Sequence, residues 1–380
     1  MDKVFAALRN ILEPGKPVTE LIQHTQDLPA NGPIYPQSVA SLKKSLVFMA
    51  RGDNQKFLVE LAGTSDDLSG AFAGDQMEWG GMVARKCPLL AENAQALRAN
   101  LAWTAPVSLR DRRTTIGLGD RLGRASAGHV RALKRFKAAP VLAQQSMREL
   151  ALTSRTFQHV VNDTTFMVFQ EGFSQGYGAD GDHLKNIADI NKALDAGMTM
   201  ITLDLTEVMR AEVADWSEAQ VTAAWEALPA EDRDRITTRF ADKDYNFEGV
   251  NFHISALEAH RSAVMYGPAI EFTKEVYQHL KSRRGDSFDL ELSIDETTTP
   301  TLPAHHLFIV TELKQRGVVL NSLAPRFIGD FQKGIDYIGD IEEFTTQFRC
   351  HCAIARAYGN YKISVHSGSD KFSIFPLVGR

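Results

Sequence analysis

Residues 183–206, HLKNIADINKALDAGMTMITLDLT, contain the pattern that decides the fold. Apolar residues between 183 and 197 recur at helical spacing, and Gly197 stands where a C-terminal helix cap belongs. A continuous apolar run, TMITLDLT (199–206), follows at once and includes the polar Asp204. A helix that leads directly into a buried apolar strand is typical of an α/β protein with a parallel sheet.

The same alternation continues from about residue 110 to the end of the sequence. Helical stretches lie between most of seven apolar runs: TTIGLGD (114–120), PVLAQQS (140–146), FMVFQEG (166–172), TMITLDLT (199–206), FDLELSIDET (288–297), VVLNSLAPRF (318–327) and YKISVHSGSD (361–370). These runs end in side chains that can carry chemistry, namely Asp120, Gln144, Glu171, Asp204, Glu296, Arg326 and His366. In a (β/α)₈ barrel all strand ends meet at one centre, whereas an open doubly wound sheet uses only the strands beside its switch point. The pattern therefore favours an α/β fold with a TIM-like barrel over a doubly wound sheet.

The count of seven strands is one short of a complete barrel. Either a strand is concealed in the pattern, or the first hundred residues supply it, or the chain lacks its last unit. We expect residues 110–380 to form the catalytic barrel, with an insertion at about 207–252 that is either a lid or a pair of surface helices. Residues 1–109 predict an N-terminal α+β elaboration, with helices at 2–12 and 89–100 and a hairpin of strands 45–50 and 56–62.

Composition excludes several classes of protein. The 380 residues are 44% hydrophobic and 23% charged, which is ordinary for a globular chain, and the formal net charge of −5 gives no global basic field for nucleic acid. We find neither a run of eighteen apolar residues nor a signal-peptide core, so no membrane span and a cytoplasmic location are expected. Three cysteines do not make a disulfide framework, and the run Cys350-His351-Cys352 is interpreted as part of a buried helix rather than a zinc site.

Three residues, one at a predicted helix N-terminus and two at predicted strand ends, suggest a divalent metal site. GYGADGDHLKN (176–186) places His183 beside Asp182 at a predicted helix N-terminus, and later runs end in Glu296 and His366. Carboxylates and imidazoles suit Zn²⁺, Mn²⁺, Ni²⁺ or Co²⁺. Strand alternation lets only one of Asp295 and Glu296 point to a barrel centre, and we predict the metal ligands His183, Glu296 and His366.

Other motifs are weaker. The glycine-rich loop IGLGDRLGRASAGH (116–129) fits the dinucleotide fingerprint poorly, and is better interpreted as a tight turn that presents Asp120 and Arg121 to a site. Neither a GxSxG elbow, a P-loop, HExxH nor an EF-hand is present in the sequence.

Several long strings resemble the tagaturonate epimerase family. They are IGLGDRLG (116–123), GYGADGDHLK (176–185), SIDET (293–297), APRFIGDFQKG (324–334) and SVHSGSDKFSIFP (364–376). The resemblance covers about residues 110–380 and implies a metal-dependent, TIM-barrel-like enzyme that interconverts tagaturonate and fructuronate in bacterial hexuronate catabolism. Related members act on tagatose and fructose. Such proteins usually continue beyond the last motif, so we expect the final strand-helix unit to be absent here.

The resemblance also implies a difficult reaction. The two sugar acids differ at a hydroxyl-bearing carbon β to the ketone, where the C–H bond is not acidified, so simple deprotonation should fail. A retro-aldol cut, followed by rotation of the aldehyde and re-formation of the bond, would invert that carbon with help from a metal ion. Asp120 or Glu171 would transfer the hydroxyl proton. Arg326 and Lys371 would bind the substrate carboxylate, and the further substrate-binding candidates are Arg121, Asp204 and Ser367.

Four alternatives stay open at this stage. A tightly bound nicotinamide could oxidise and re-reduce the carbinol, or Lys371 could form a Schiff base. The chain could instead be an aldolase or isomerase on a related sugar acid, or a non-catalytic sugar-acid binding protein. The sequence does not determine the oligomeric state or the preference between a sugar acid and a neutral ketose.

Overall fold

The structure, a computed structural model, describes residues 34–379 except 53, 54, 80, 296 and 298. The chain divides into two compact units. The first unit contains Met1–Gly181 and Asn191–Thr199, and the second contains Asp182–Ile190 and Met200–Arg380. The helix predicted at 2–12 lies outside the described residues.

An antiparallel sheet begins the first unit. Its strands follow the order β1-β2-β3-β5-β4 and are β1 (Ala40–Leu42), β2 (Ser45–Arg51), β3 (Lys56–Ala62), β4 (Asp75–Trp79) and β5 (Met82–Cys87). Strands β2 and β3 are antiparallel, which confirms the predicted hairpin. Val47 and Met49 pack into one apolar cluster, whereas Leu46 and Phe48 pack into another. Because side chains alternate along a strand, strand β2 is buried on both faces of the sheet.

The remaining elements of the first unit include one correction to the sequence prediction. They are α1 (Ala91–Asn100), β6 (Thr115–Gly117), α2 (Ser126–Leu133), β7 (Ala139–Ser146), α3 (Met147–Thr153) and α4 (Phe157–Gln170). The strand predicted at 166–172 is wrong, because these residues end helix α4, which begins with a capping box between Thr156 and His159. Phe166 and Val168 pack into different apolar clusters. A short apolar run does not distinguish a helix buried on all sides from a strand.

Strand β8 (Gly178–Leu184) is the strand that the sequence concealed. The prediction of a helix N-terminus at Asp182 and His183 is therefore wrong, and helix α5 (Ile187–Ala196) begins later. Glycine and aspartate disfavour strands by intrinsic propensity, but the burial of residues 178–181 outweighs that preference.

The second unit contains four parallel strands whose ends are in register. They are β9 (Met200–Asp204), β12 (Asp289–Ser293), β13 (Ser322–Ala324) and β14 (Lys362–Ile363). Ser293 pairs with Asp204 on one side and with Ala324 on the other. The carboxyl ends of these strands therefore lie at one level, where the following residues form a site.

Helices and one hairpin complete the second unit. The predicted insertion contains α6 (Glu218–Glu226), α7 (Ala230–Phe240) and the hairpin of β10 (Lys243–Phe247) and β11 (Val250–Ile254). Helices α8 (Ala256–Arg284), α9 (Pro303–Gln315), α10 (Ile341–Tyr358) and α11 (Phe375–Val378) follow. Trp225 of α6 stacks on His260 of α8 with ring centroids 4.0 Å apart. The insertion is therefore anchored to α8, as expected for packed surface helices.

The parallel strands form one sheet of seven in the order β14-β13-β12-β9-β8-β7-β6. This confirms an α/β fold with a seven-stranded parallel sheet, while closure into a complete TIM-like barrel stays a prediction. Among the helices of the described residues, none is long and apolar enough to cross a bilayer.

Candidate metal centre

Three side chains of the second unit converge at the carboxyl ends of its strands. His183 lies in β8, Asp295 follows β12 by two residues, and His366 follows β14 by three. Each offers one ligand atom, and these atoms all lie within 4.8 Å of one another. The two imidazole rings meet edge to face, with centroids 5.1 Å apart. His183 has a left-handed φ of 53°, which is uncommon for a residue other than glycine and is typical of functional sites.

Two carboxylates position His366. Its Nε2 lies 2.7 Å from Oε1 of Glu291, and its Nδ1 lies 3.2 Å from Oδ1 of Asp295. Burial by itself would lower the pKa of His366, but Glu291 and Asp295 raise it well above the usual value. Ser293 donates a short hydrogen bond to Asp295 and so fixes that carboxylate.

His183 lies between two further carboxylates. Its Nδ1 is 3.5 Å from Oδ2 of Asp204, and its Nε2 is 3.8 Å from Oδ1 of Asp182. Burial would lower the pKa of His183, but Asp204 and Asp182 outweigh it and raise that pKa to about 9. Burial would likewise raise the pKa of Asp204, yet the nearby His183, the hydrogen bonds from Thr206 and the charge of Lys185 lower it to about 2.

The residues present fit a divalent cation. Nδ1 of His183, Nδ1 of His366 and Oδ2 of Asp204 are buried and have no hydrogen-bond partner among the described residues. Four carboxylates surround the two rings, namely Asp182, Asp204, Glu291 and Asp295. Lys185 is the cation beside Asp204. Two imidazoles and a carboxylate form a donor set that suits Zn²⁺ and other transition metals and leaves coordination positions open.

Among the described residues, the carboxylate of this group is Asp295. Glu296 lies outside the described residues, so its predicted role as a ligand stays a prediction. Sequence analysis missed Glu291, which holds the imidazole of His366. The signal that could have found it is a glutamate in the middle of an apolar strand, because a buried carboxylate requires a partner.

Asp120, predicted as an acid or base, lies in the first unit and organises a turn. Its carboxylate accepts hydrogen bonds from the main-chain N–H groups of Ala125, at 2.6 Å, and Ser126, at 2.8 Å. Burial would raise the pKa of Asp120, but these bonds lower it overall. The neighbouring Arg121 donates to Glu149 at 2.6 Å. The catalytic role of Asp120 and the substrate-binding role of Arg121 stay predictions.

Glu171, the other predicted acid or base, follows the last residue of α4 in the first unit. Arg131 donates to both of its carboxylate oxygens at 2.8 Å. Gln170 donates a third hydrogen bond, also at 2.8 Å. This bidentate pair stabilises the ionised carboxylate and holds it in one orientation.

The remaining predicted substrate-binding residues differ in their surroundings. Lys371 is fully buried, and its Nζ donates to the carbonyls of Gln332 and Ile335 at 2.6 and 2.7 Å. Arg326 has a buried Nε without a hydrogen-bond partner among the described residues. Ser367, with a φ of 51°, follows His366 directly. Arg326 therefore keeps a polar group that a ligand could use, whereas Lys371 fastens a loop.

The run Cys350-His351-Cys352 lies in helix α10, as predicted, with Cys350 and His351 buried. Nδ1 of His351 lies 2.9 Å from Nδ1 of His306, whose Nε2 lies 2.6 Å from the hydroxyl of Tyr361. These contacts hold α10 against α9 and the start of β14. His351 therefore has the contacts of a residue that stabilises helix packing.

Comparison with known proteins gives a consistent result. The family model described as UxaE, tagaturonate epimerase, matches residues 35–380. The tagaturonate/fructuronate epimerase of Thermotoga maritima is 38% identical over 344 residues, which are 90% of this chain and 70% of that protein. The glycerol-bound crystal structure of fructuronate-tagaturonate epimerase UxaE from Cohnella laeviribosi matches with a TM-score of 0.86 and 40% identity, and covers 95% of this chain and 72% of that one. Its native crystal structure gives the same TM-score and identity, with 96% and 72% coverage.

Proposed function

This chain belongs to the tagaturonate epimerase family, and we propose that it is a metal-dependent enzyme that interconverts tagaturonate and fructuronate. The relatives reported above are epimerases, which are isomerases. The observation that carries the metal part of the proposal is the convergence of His183, Asp295 and His366 at one level of the sheet.

These three residues would hold the ion, and Glu291 would orient one of its ligands. Because Glu291 accepts from Nε2 of His366, the imidazole keeps Nδ1 as its free ligand atom. Asp204 lies 3.5 Å from the other type of ring nitrogen, Nδ1 of His183, and would position that ring. When bound, a divalent ion supplies Lewis-acid polarisation of a substrate oxygen.

We assign the epimerisation to retro-aldol and aldol steps. A base takes the proton of the hydroxyl on the carbon β to the ketone, that carbon becomes an aldehyde, and the pair of electrons of the broken C–C bond forms an enediolate. The aldehyde turns, the bond re-forms on its other face, and the proton returns to the alkoxide. Since the same atoms are recovered, the reaction requires no oxidant and no second substrate.

The chain's own residues would bind and orient the sugar acid. The unpartnered Nε of Arg326 suits the substrate carboxylate, and Oδ2 of Asp204 suits a substrate hydroxyl. Asp120 and Glu171 stay the candidates for the proton transfer. Lys371 would act by holding the loop that contains Gln332 and Ile335.

The test is a product analysis by NMR with a chelated and metal-reloaded protein. We expect conversion of tagaturonate to fructuronate that is lost on chelation and restored by one of Zn²⁺, Mn²⁺, Ni²⁺ or Co²⁺. His366→Ala should lose bound metal, measured by elemental analysis, and activity together. The exposed His253 of β11, which contacts Asp244, provides the control His253→Ala, which should keep both.

Several results would contradict the proposal. Full activity of the chelated protein would exclude the metal route, and bound nicotinamide in the mass spectrum would favour oxidation and re-reduction. A lysine adduct trapped by borohydride would indicate a Schiff base. Cleavage products, a shifted ketone or no turnover would point to an aldolase, an isomerase or a binding protein respectively.

A further inference from the structure

The first unit contains a basic cavity to which only one residue of the proposed reaction, the candidate proton-transfer residue Glu171, contributes. Its volume is about 720 Å³, and five cationic side chains line it: Arg51, Lys56, Arg124, Arg131 and Lys134. Its one acidic lining residue among those described is Glu171. In a chain with a net charge of −5, such a local excess of positive charge is a distinct feature. Cations held together repel one another unless an anion lies between them.

Most of these cations keep their charge available for a ligand. Arg131 forms an ion pair with Glu171, whereas the other four have no ion pair with a carboxylate within the described part of the chain. Arg51 and Lys56 lie over the ring of Tyr35, at 4.7 and 5.5 Å from its centre. Tyr35 thereby holds two like charges side by side, as a binding site for an anion would.

The surroundings of Lys56 show that the cations act on one another. Burial lowers the pKa of Lys56, and Arg131, Arg51 and Arg124 lower it further, while Glu171 opposes them. A bound anion would relieve this repulsion between cations, and that relief would contribute to the free energy of binding.

A buried acceptor in the same cavity narrows the ligand class. Nε2 of Gln170 donates to Glu171 at 2.8 Å, while Oε1 of Gln170 is buried without a hydrogen-bond partner among the described residues. An unpaired buried acceptor is costly unless a ligand donates to it. A hydroxyl is such a donor, so the cavity offers cations for an anionic group and an acceptor for a hydroxyl beside it.

We propose that this cavity binds a phosphorylated sugar. Four cations without carboxylate partners suit a dianionic phosphate better than a singly charged carboxylate, and Gln170 accepts from a sugar hydroxyl. The volume is within the range of small-molecule sites. This inference does not depend on the proposed epimerisation.

Calorimetry on the purified protein tests the proposal with three probes: glucose 6-phosphate, inorganic phosphate and glucuronate. We expect saturable binding at one site, tightest for glucose 6-phosphate, weaker for phosphate and weakest for glucuronate. Lys56→Gln and Arg124→Gln should each weaken the binding of glucose 6-phosphate by about tenfold or more, since each removes a charged hydrogen-bond donor. Lys56→Arg should retain most of the affinity.

The matched control is Arg135→Gln, which removes a positive charge just beyond α2 from a residue that does not line the cavity. The affinity of Arg135→Gln for glucose 6-phosphate should stay within about twofold of that of the unaltered protein, because the exposed charge of Arg135 is screened by solvent and salt. Melting temperatures of all variants report whether each one folds. Absence of saturable binding, equal losses in Arg135→Gln, or equal affinity for glucuronate would each overturn the proposal.

Discussion

Replacement of Glu291 by glutamine tests how the candidate metal centre is built. Glu291 is buried within β12 and lies 2.7 Å from Nε2 of His366. Glu291→Gln keeps the size of the side chain but removes its charge. The variant should lose metal affinity because the imidazole is then oriented by a neutral acceptor and becomes a weaker ligand.

The size of the effect follows from the chemistry of this contact. Loss of a partner that orients a ligating histidine typically weakens metal binding by about 10- to 100-fold. That range corresponds to about 1.4–2.7 kcal/mol of binding free energy. We expect kcat of the partly loaded protein to fall as well, and to recover when excess metal saturates the site.

The assay is a competition titration of the metal against a chromophoric chelator. Glu60→Gln is the matched control, because Glu60 is equally buried in a strand, accepts from Ser45 at 2.8 Å and lies in the first unit. It should lose stability without a change in metal affinity. If Glu291→Gln binds metal within about threefold of the unaltered protein, Glu291 does not orient a ligand and the reasoning fails.

Two further predictions concern pH and the buried turn. Burial lowers the pKa of His305 and of His351 to about 4, so both are neutral when folded and gain protons on unfolding below their usual pKa of about 6.5. The stability they provide is fully present above pH 6.5 and decreases by about 2 kcal/mol per histidine between pH 6.5 and 5. If the urea midpoint of His351→Gln depends on pH as strongly as that of the unaltered protein, the prediction is contradicted. Asp120→Asn should lower the free energy of unfolding by about 1–2 kcal/mol, since the carboxylate satisfies main-chain donors before α2. If the predicted catalytic role is right, the folded variant should also lose kcat by about 100-fold or more, and an unchanged kcat would exclude that role.

The comparison of α4 with β8 explains where the sequence prediction succeeded and where it failed. The total of seven parallel strands was predicted, but one of the seven was misplaced. Residues 166–172 are apolar enough for a buried strand, and they belong instead to a helix whose faces contact two clusters. Residues 178–184 contain two glycines and two aspartates and form a strand. In both cases burial by distant parts of the chain outweighed local preference.

The candidate site shows the same division between local and distant information. His183 was predicted as a ligand from its place at a predicted helix N-terminus and His366 from its place at a strand end, and the structure brings them together in one group. Glu296 was predicted as the ligand from the pair of Asp295 and Glu296, and Asp295 is the carboxylate that joins the group among the described residues. Glu291 and the basic cavity were not predicted, because their partners are distant in sequence.

The sequence by itself determined the class of fold, the family and the residue types available for chemistry. Apolar periodicity predicts secondary structure, and long unusual strings such as SVHSGSDKFSIFP identify relatives. Only the tertiary structure decided which side chains contact one another. The register between β9, β12 and β13 brings residues 91 positions apart, Asp204 and Asp295, to the same histidine, His183. Parallel pairing joins segments of the chain at a register that no local pattern encodes, because it depends on how the whole sheet buries its faces.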